Sequence, residues 1–194
     1  MATLREVQKR MTHELLLDSG LEVLERKGYP ATTIDDIATA AGTTRTTFYL
    51  HFSSKAELVS ELLKRADEIL TSVDDPSLTE VVRSGDARLI GTWLDSKLDQ
   101  WDTIKPYLTV SYQASDEPDV ARQTEQWYED VVRQMTDGLT QAGRFEPVNR
   151  RIRCVLAFGQ FEYLARRYFA VGWLTDRRIC LAELTASWCH LLTE

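Results

Sequence analysis

The chain has 194 residues, 43% of them hydrophobic and 27% charged, which suits one domain or two small ones with enough apolar material to bury a core. Its 23 Lys and Arg stand against 30 Asp and Glu, a formal net charge of −7 that at face value argues against a phosphate-rich partner. The average hides a split: residues 1–65 hold 9 basic and 9 acidic side chains, so all the excess acid lies beyond them.

Three cysteines, Cys154, Cys180 and Cys189, and three histidines give neither an even disulfide framework nor a zinc-ligand spacing. No metal site and no cofactor is expected. The first ten residues lack the apolar core of a signal peptide, and the apolar stretch 154–174 is interrupted by Glu162, Arg166 and Arg167. The expectation is a soluble, cytoplasmic protein without a membrane span.

The dominant period is helical. Val7, Met11, Leu15, Leu16, Leu21 and Leu24 recur by threes and fours, which predicts an amphipathic helix over 3–27 that stops at Gly28. Thr33, with Asp35 and Asp36 behind it, opens a short second helix whose apolar face is Ile34, Ile37, Ala38 and Ala41, and Gly42 ends it. Residues 46–52 mix helix and strand signals, since Phe48, Leu50 and Phe52 alternate; without a partner strand nearby they are read as helix. Ser54-Lys-Ala-Glu57 is a capping box that opens a fourth helix to about residue 71. Residues 72–85 read as a linker with one helical turn. Beyond them helices are expected at 86–103, 104–114, 118–141, 149–171 and 175–193, with Pro106 at a helix start. The predicted fold is all-α with about nine helices.

Two short helices flanking Ala41-Gly42 behind a longer first helix follow a helix-turn-helix plan. Packing Ile34, Ile37, Ala38, Phe48 and Phe52 inward leaves the other face of residues 44–51 free for a DNA major groove. Thr44, Arg45 and Thr47, with Tyr49 and His51 further on, are suitable readers: arginine binds guanine O6 and N7, and a threonine methyl packs on the thymine methyl.

The string Thr33-Ile-Asp-Asp-Ile-Ala-Thr-Ala-Ala-Gly42, followed by Thr43-Thr-Arg-Thr-Thr-Phe-Tyr-Leu-His-Phe52 and Ser54-Lys-Ala-Glu-Leu58, resembles the tetracycline-repressor-like (TetR) family of transcriptional regulators. The resemblance covers roughly residues 5–65. It implies a three-helix DNA-binding domain at 1–53 and a helical ligand-binding and dimerisation domain at 54–194. It also implies groove contacts from Thr43, Thr44, Arg45 and Thr47 and phosphate contacts from Thr33, Tyr49, His51 and Lys55. The sequence departs from the family at 43, often valine, and at 46, often glycine; both are threonine here.

Helices 149–171 and 175–193 are apolar nearly all round, as expected of helices buried on both sides. In the first, Ile152, Val155, Leu156, Gly159 and Tyr163 make one face and Cys154, Phe158, Phe161, Ala165, Tyr168 and Phe169 another. A homodimer through a four-helix interface follows, with Ile152, Val155, Phe161, Tyr168, Leu181, Leu184 and Trp188 as interface candidates. All five tryptophans lie beyond residue 90, and Trp93, Trp101, Tyr107, Tyr112, Trp127 and Phe158 are candidates to line a pocket for an apolar or aromatic effector. Asp95, Asp99 and Asp102 share a polar face and read as solvated; Glu162 pairs with Arg166 at i+4. Cys189-His190 reads as a packed thiol beside a surface imidazole.

Together these features point to a repressor that a small molecule releases from double-stranded, pseudo-palindromic operator DNA. A ligand-responsive activator is the alternative. An α-helical enzyme is disfavoured because no paired carboxylates, metal set or activated nucleophile is visible, so no catalytic residue is expected. Intact Arg45, Tyr49 and Lys55 speak against a helical interaction protein that has lost DNA binding.

Overall fold

The computed structural model describes residues 3–72 and 74–193, and among them the secondary structure is entirely helical. Ten helices follow in chain order: α1 (Leu4–Lys27), α2 (Ile34–Ala40), α3 (Arg45–Tyr49), α4 (Lys55–Thr71), α5 (Leu78–Ser84), α6 (Ala87–Asp99), α7 (Trp101–Gln113), α8 (Pro118–Gln141), α9 (Pro147–Val171) and α10 (Arg177–Thr193).

Local chemistry sets many of the boundaries. Reciprocal capping boxes start α1 (Thr3 with Glu6), α2 (Thr33 with Asp36) and α5 (Ser77 with Glu80), each satisfying N–H groups that the first turn leaves without helical partners. The third of these falls in the stretch read as a linker, where a seven-residue helix stands instead of one turn. Pro147 begins α9 two residues earlier than expected, because its fixed φ and missing N–H suit the first helical position. The break between α6 and α7 falls at Gln100 rather than after residue 103, and Pro106 lies inside α7 rather than at its start.

The chain divides into two compact units, Met1–Ile69 with Ile104–Thr124, and Leu70–Thr103 with Glu125–Glu194. The core of the first gathers Leu16, Leu24, Ile37, Phe48, Phe52, Leu58 and Leu62 with Val110, Ala114 and Val120 from the α7–α8 corner. Gly20 on α1 faces Leu58 so closely that a Cβ would stand 3.0 Å from its methyl carbons. In the second unit α10 packs on both α6 and α9. Trp188 lies between them, stacked on Trp93 and donating its indole N–H to the Ala157 carbonyl at 2.9 Å. Lys97, buried on α6, pairs with Asp74 at 2.6 Å and donates to the Leu70 carbonyl. No helix of the described residues is long and apolar enough to cross a membrane.

Candidate nucleic-acid interface

The turn between α2 and α3 is made by Ala41 and Gly42, the latter at φ 62°, in the left-handed region that favours glycine. Thr43 follows with its N–H on the Ala38 carbonyl at 2.9 Å. Thr44 caps α3: its hydroxyl accepts the Thr47 N–H at 3.1 Å and lies 2.9 Å from the Thr47 hydroxyl. Phe48 is fully buried, and Phe52 nearly so, which turns the opposite side of α3 outward. Thr44, Arg45, Thr46 and Tyr49 are exposed there, with Thr47 half-buried beside them. Rigid support by a packed core and an open polar face are what a major-groove helix requires.

Arg45, the first residue of α3, does not hang free. Its Nη1 donates to Asp35 Oδ2 on α2 at 3.1 Å and its Nη2 to the Tyr49 hydroxyl at 3.3 Å. His51 is half-buried beside His13, with ring centroids 5.7 Å apart. Burial pushes its imidazole below the ordinary value, and His13 and Lys9 push the same way. Thr33 is exposed, its hydroxyl shared with Asp36 in the α2 cap. The Asp36 carboxyl is held well below the usual range, first by Lys27 at 2.7 Å and then by Thr33.

Lys55, expected at a phosphate, is engaged within the chain itself. Its ammonium turns inward, donating to the backbone carbonyls of Tyr29 and, at 2.7 Å, of Thr32, and it lies 4.0 Å from the centroid of the Tyr29 ring. Tyr29 in turn donates its hydroxyl to Glu117 Oε1 at 2.9 Å, and its N–H to Gln113 Oε1 at 2.7 Å. Burial, then Glu117, pushes the phenol well above its ordinary value, so it stays a donor. The loop between α1 and α2 is thereby tied to α4 and to the α7–α8 corner. The partners lie more than eighty residues apart, beyond any local motif.

The second unit holds a continuous aromatic cluster. Trp93 and Trp188 lead to Phe161, which meets Phe158 and Trp101; Phe158 meets Trp127 and Tyr128, and Trp101 meets Tyr168, Phe169 and Trp173. Among the described residues the indole N–H of buried Trp101 has no hydrogen-bond partner. Four of the six pocket candidates, Trp93, Trp101, Trp127 and Phe158, meet here. Tyr107 and Tyr112 do not: they lie on the part of α7 that belongs to the first unit, where Tyr107 packs against the core around Leu16 and Phe48.

The interface candidates divide by helix phase. Trp188, Leu184 and Phe161 are buried within the chain itself and present no surface to a second copy. Tyr168 is tied to Asp102 by a 2.5 Å hydrogen bond and stacks among Trp101 and Trp173. Ile152 is 52% exposed, and Leu156 and Tyr163, on the same face of α9, are exposed too. Val155 and Leu181 are half-buried. The acids read as solvated are engaged: Arg177 pairs with Asp95 at 2.6 Å and Asp99 at 2.5 Å, and Asp102 accepts from Tyr168. Glu162 and Arg166 form the expected i+4 pair at 3.6 Å. Among the described residues no group of three or more His, Cys, Asp or Glu is placed to hold a metal ion.

The described residues hold a helix-turn-helix module and, separately, a helical bundle. Residues 16–62 match the family model for bacterial regulatory proteins of the tetR family. The chain is 35% identical over 101 residues to the HTH-type transcriptional repressor KstR2 of Rhodococcus jostii, a match covering 52% of this chain and 42% of that one. It spans about half or less of the length of the curated relatives it matches. Its fold is that of NalD, the secondary repressor of the MexAB-OprM multidrug efflux pump in Pseudomonas aeruginosa, with a TM-score of 0.73 at 23% identity, covering 94% of this chain and 97% of that one. A TetR-like transcriptional regulator from Rhodococcus sp. RHA1 matches with a TM-score of 0.67 at 18% identity, covering 94% and 97%. The chain is TetR-like: its helix-turn-helix module is similar to that of the tetR family over residues 16–62, and the chain shares the fold of these solved regulators.

Proposed function

We propose that the protein is a DNA-binding transcriptional regulator, a repressor that acts as a homodimer and is released from its operator by a small molecule. The observation that carries the reading is the α2–α3 module, with Phe48 and Phe52 locked inside, Thr44, Arg45 and Tyr49 outside and Thr47 half-buried beside them, inside the span that matches the family model. Arg45 and Thr47 read base edges, Thr43 and Thr44 line the groove side of the turn, and Tyr49, Thr33 and His51 lie against phosphates. Repression, rather than activation, is favoured by KstR2 and NalD, both named as repressors. The protein works beside the chromosome, in the cytoplasm, as a binding protein and not an enzyme.

Ile152, Val155, Leu156 and Tyr163 on α9, with Ile179 on α10, are the apolar surface offered to a second copy. A two-fold pair sets two recognition helices about 34 Å apart and demands a pseudo-palindromic site. The effector is an apolar or aromatic molecule received by the cluster around Trp101, whose unpaired indole N–H is a ready donor. It lowers operator affinity only by the difference in its own affinity for the two conformers of the dimer.

Fluorescence anisotropy with duplexes from the region upstream of the chain's own gene tests the reading. Saturable binding with a specific site preferred by about 10³-fold or more over random duplex at physiological salt supports it. Equal binding to all duplexes would reject it.

A further inference from the structure

Resting on that reading, we infer that Asp35, on α2, is a specificity-determining residue that acts through Arg45. Asp35 is the second residue of α2 and Arg45 the first of α3, so their ion pair, Nη1 to Oδ2 at 3.1 Å, bridges the two short helices across the Gly42 turn. Both side chains are more than half exposed, so the pair contributes little to folding. What it does is hold a long side chain in one orientation. The other end of the guanidinium is fixed by the Tyr49 hydroxyl at 3.3 Å, with the guanidinium carbon 5.6 Å from the Tyr49 ring centroid. The plane of the fork is thus defined from two sides.

Bidentate binding of guanine O6 and N7 requires that plane to match the base edge. An unrestrained arginine would lose its rotamer freedom on binding, whereas one already held loses less. The carboxylate has a second effect. A phosphate drawn to Arg45 would meet the negative charge of Asp35 in the same place, whereas the neutral edge of guanine would not. Asp35 therefore disfavours the use of Arg45 as a general phosphate anchor. It gives up sequence-independent affinity and widens the margin for guanine over other bases.

The test uses the full chain, its operator duplex, the set of single base-pair substitutions in that duplex, and a random duplex. Arg45→Ala first identifies the base pair that Arg45 reads. Asp35→Ala is expected to keep the thermal midpoint, to bind random duplex more tightly and to lose about twofold to fivefold of the discrimination at that base pair alone. Asp35→Asn, still an acceptor but uncharged, keeps part of that discrimination while its affinity for random duplex rises. In the Arg45→Ala background Asp35→Ala changes discrimination nowhere. Uniform weakening on every duplex with a lowered midpoint would show that Asp35 only supports the start of α2 and would overturn the proposal. So would unchanged discrimination in Asp35→Ala. If Arg45→Ala alters no base preference, the reading of α3 falls, and Asp35's role falls with it.

Discussion

Replacing Lys55 with methionine separates two roles that a lysine at this position can have. As a phosphate contact, its loss would leave the fold intact and remove a counterion-releasing charge, reducing the slope of log K against log salt by about 0.9 for each module. The structure instead gives the ammonium two carbonyls to serve, on Tyr29 and Thr32, and a place over the Tyr29 ring. A buried carbonyl left without its partner costs about 1–3 kcal/mol. Lys55 is only half-buried, so water replaces part of what is lost, and the methionine stem keeps much of the packing on Tyr29. The net expectation is a loss of about 1–2 kcal/mol, a fall of about 2–8 °C in the unfolding midpoint for a chain of this size. Urea unfolding followed by circular dichroism measures the stability, and anisotropy across a salt series, well below the midpoint, measures the slope. A reduced slope at unchanged stability would refute the reasoning and return Lys55 to the DNA surface.

Arg45→Ala should weaken the best operator by about 1–3 kcal/mol and relax preference at one base pair; an unchanged operator profile would mean that α3 does not lie in the groove. Trp188→Ala should cost about 3–5 kcal/mol of stability, because it empties a buried site and removes the indole hydrogen bond to the Ala157 carbonyl. Tyr163→Ala, at a residue 66% exposed, should change stability at concentrations where the chain is monomeric by no more than about 0.5 kcal/mol and shift sedimentation toward monomer. The opposite pattern would exchange core and interface. Because burial depresses His51, the unfolded chain binds its proton more readily as pH falls through the ordinary histidine range near 6.5. The wild-type midpoint should therefore drop more between pH 8 and pH 5.5 than that of His51→Gln, and an equal or smaller drop would contradict the sign.

The helix-turn-helix was legible because its signals are local: Thr33 with Asp36, Thr44 before Arg45, and glycine at 42 each act within a few residues. The seven-residue α5 is harder to read although Ser77 and Glu80 form the same kind of box, since its short stretch behind Pro76 resembles a linker. Helices α9 and α10 had a different difficulty. Apolar residues surround both, so periodicity does not tell which face meets the chain's own core, and the structure buries Phe161, Leu184 and Trp188 there. The links of Tyr29 to Glu117, Lys55 to Thr32 and Arg45 to Asp35 depend on tertiary proximity that no spacing encodes. On the proposed function, the acidic excess beyond residue 65 would disfavour docking of DNA anywhere but on the N-terminal module, which is neutral overall.

The most direct test of the central claim is a footprint of the purified chain on the DNA upstream of its own gene. Two protected half-sites of related, inverted sequence, spaced one helical turn or a multiple of it, about 10–10.5 base pairs centre to centre or a multiple, are the predicted result, with both lost together in Arg45→Ala. Protection without a repeated half-site, or protection that survives Arg45→Ala unchanged, would contradict the account of a paired helix-turn-helix reader.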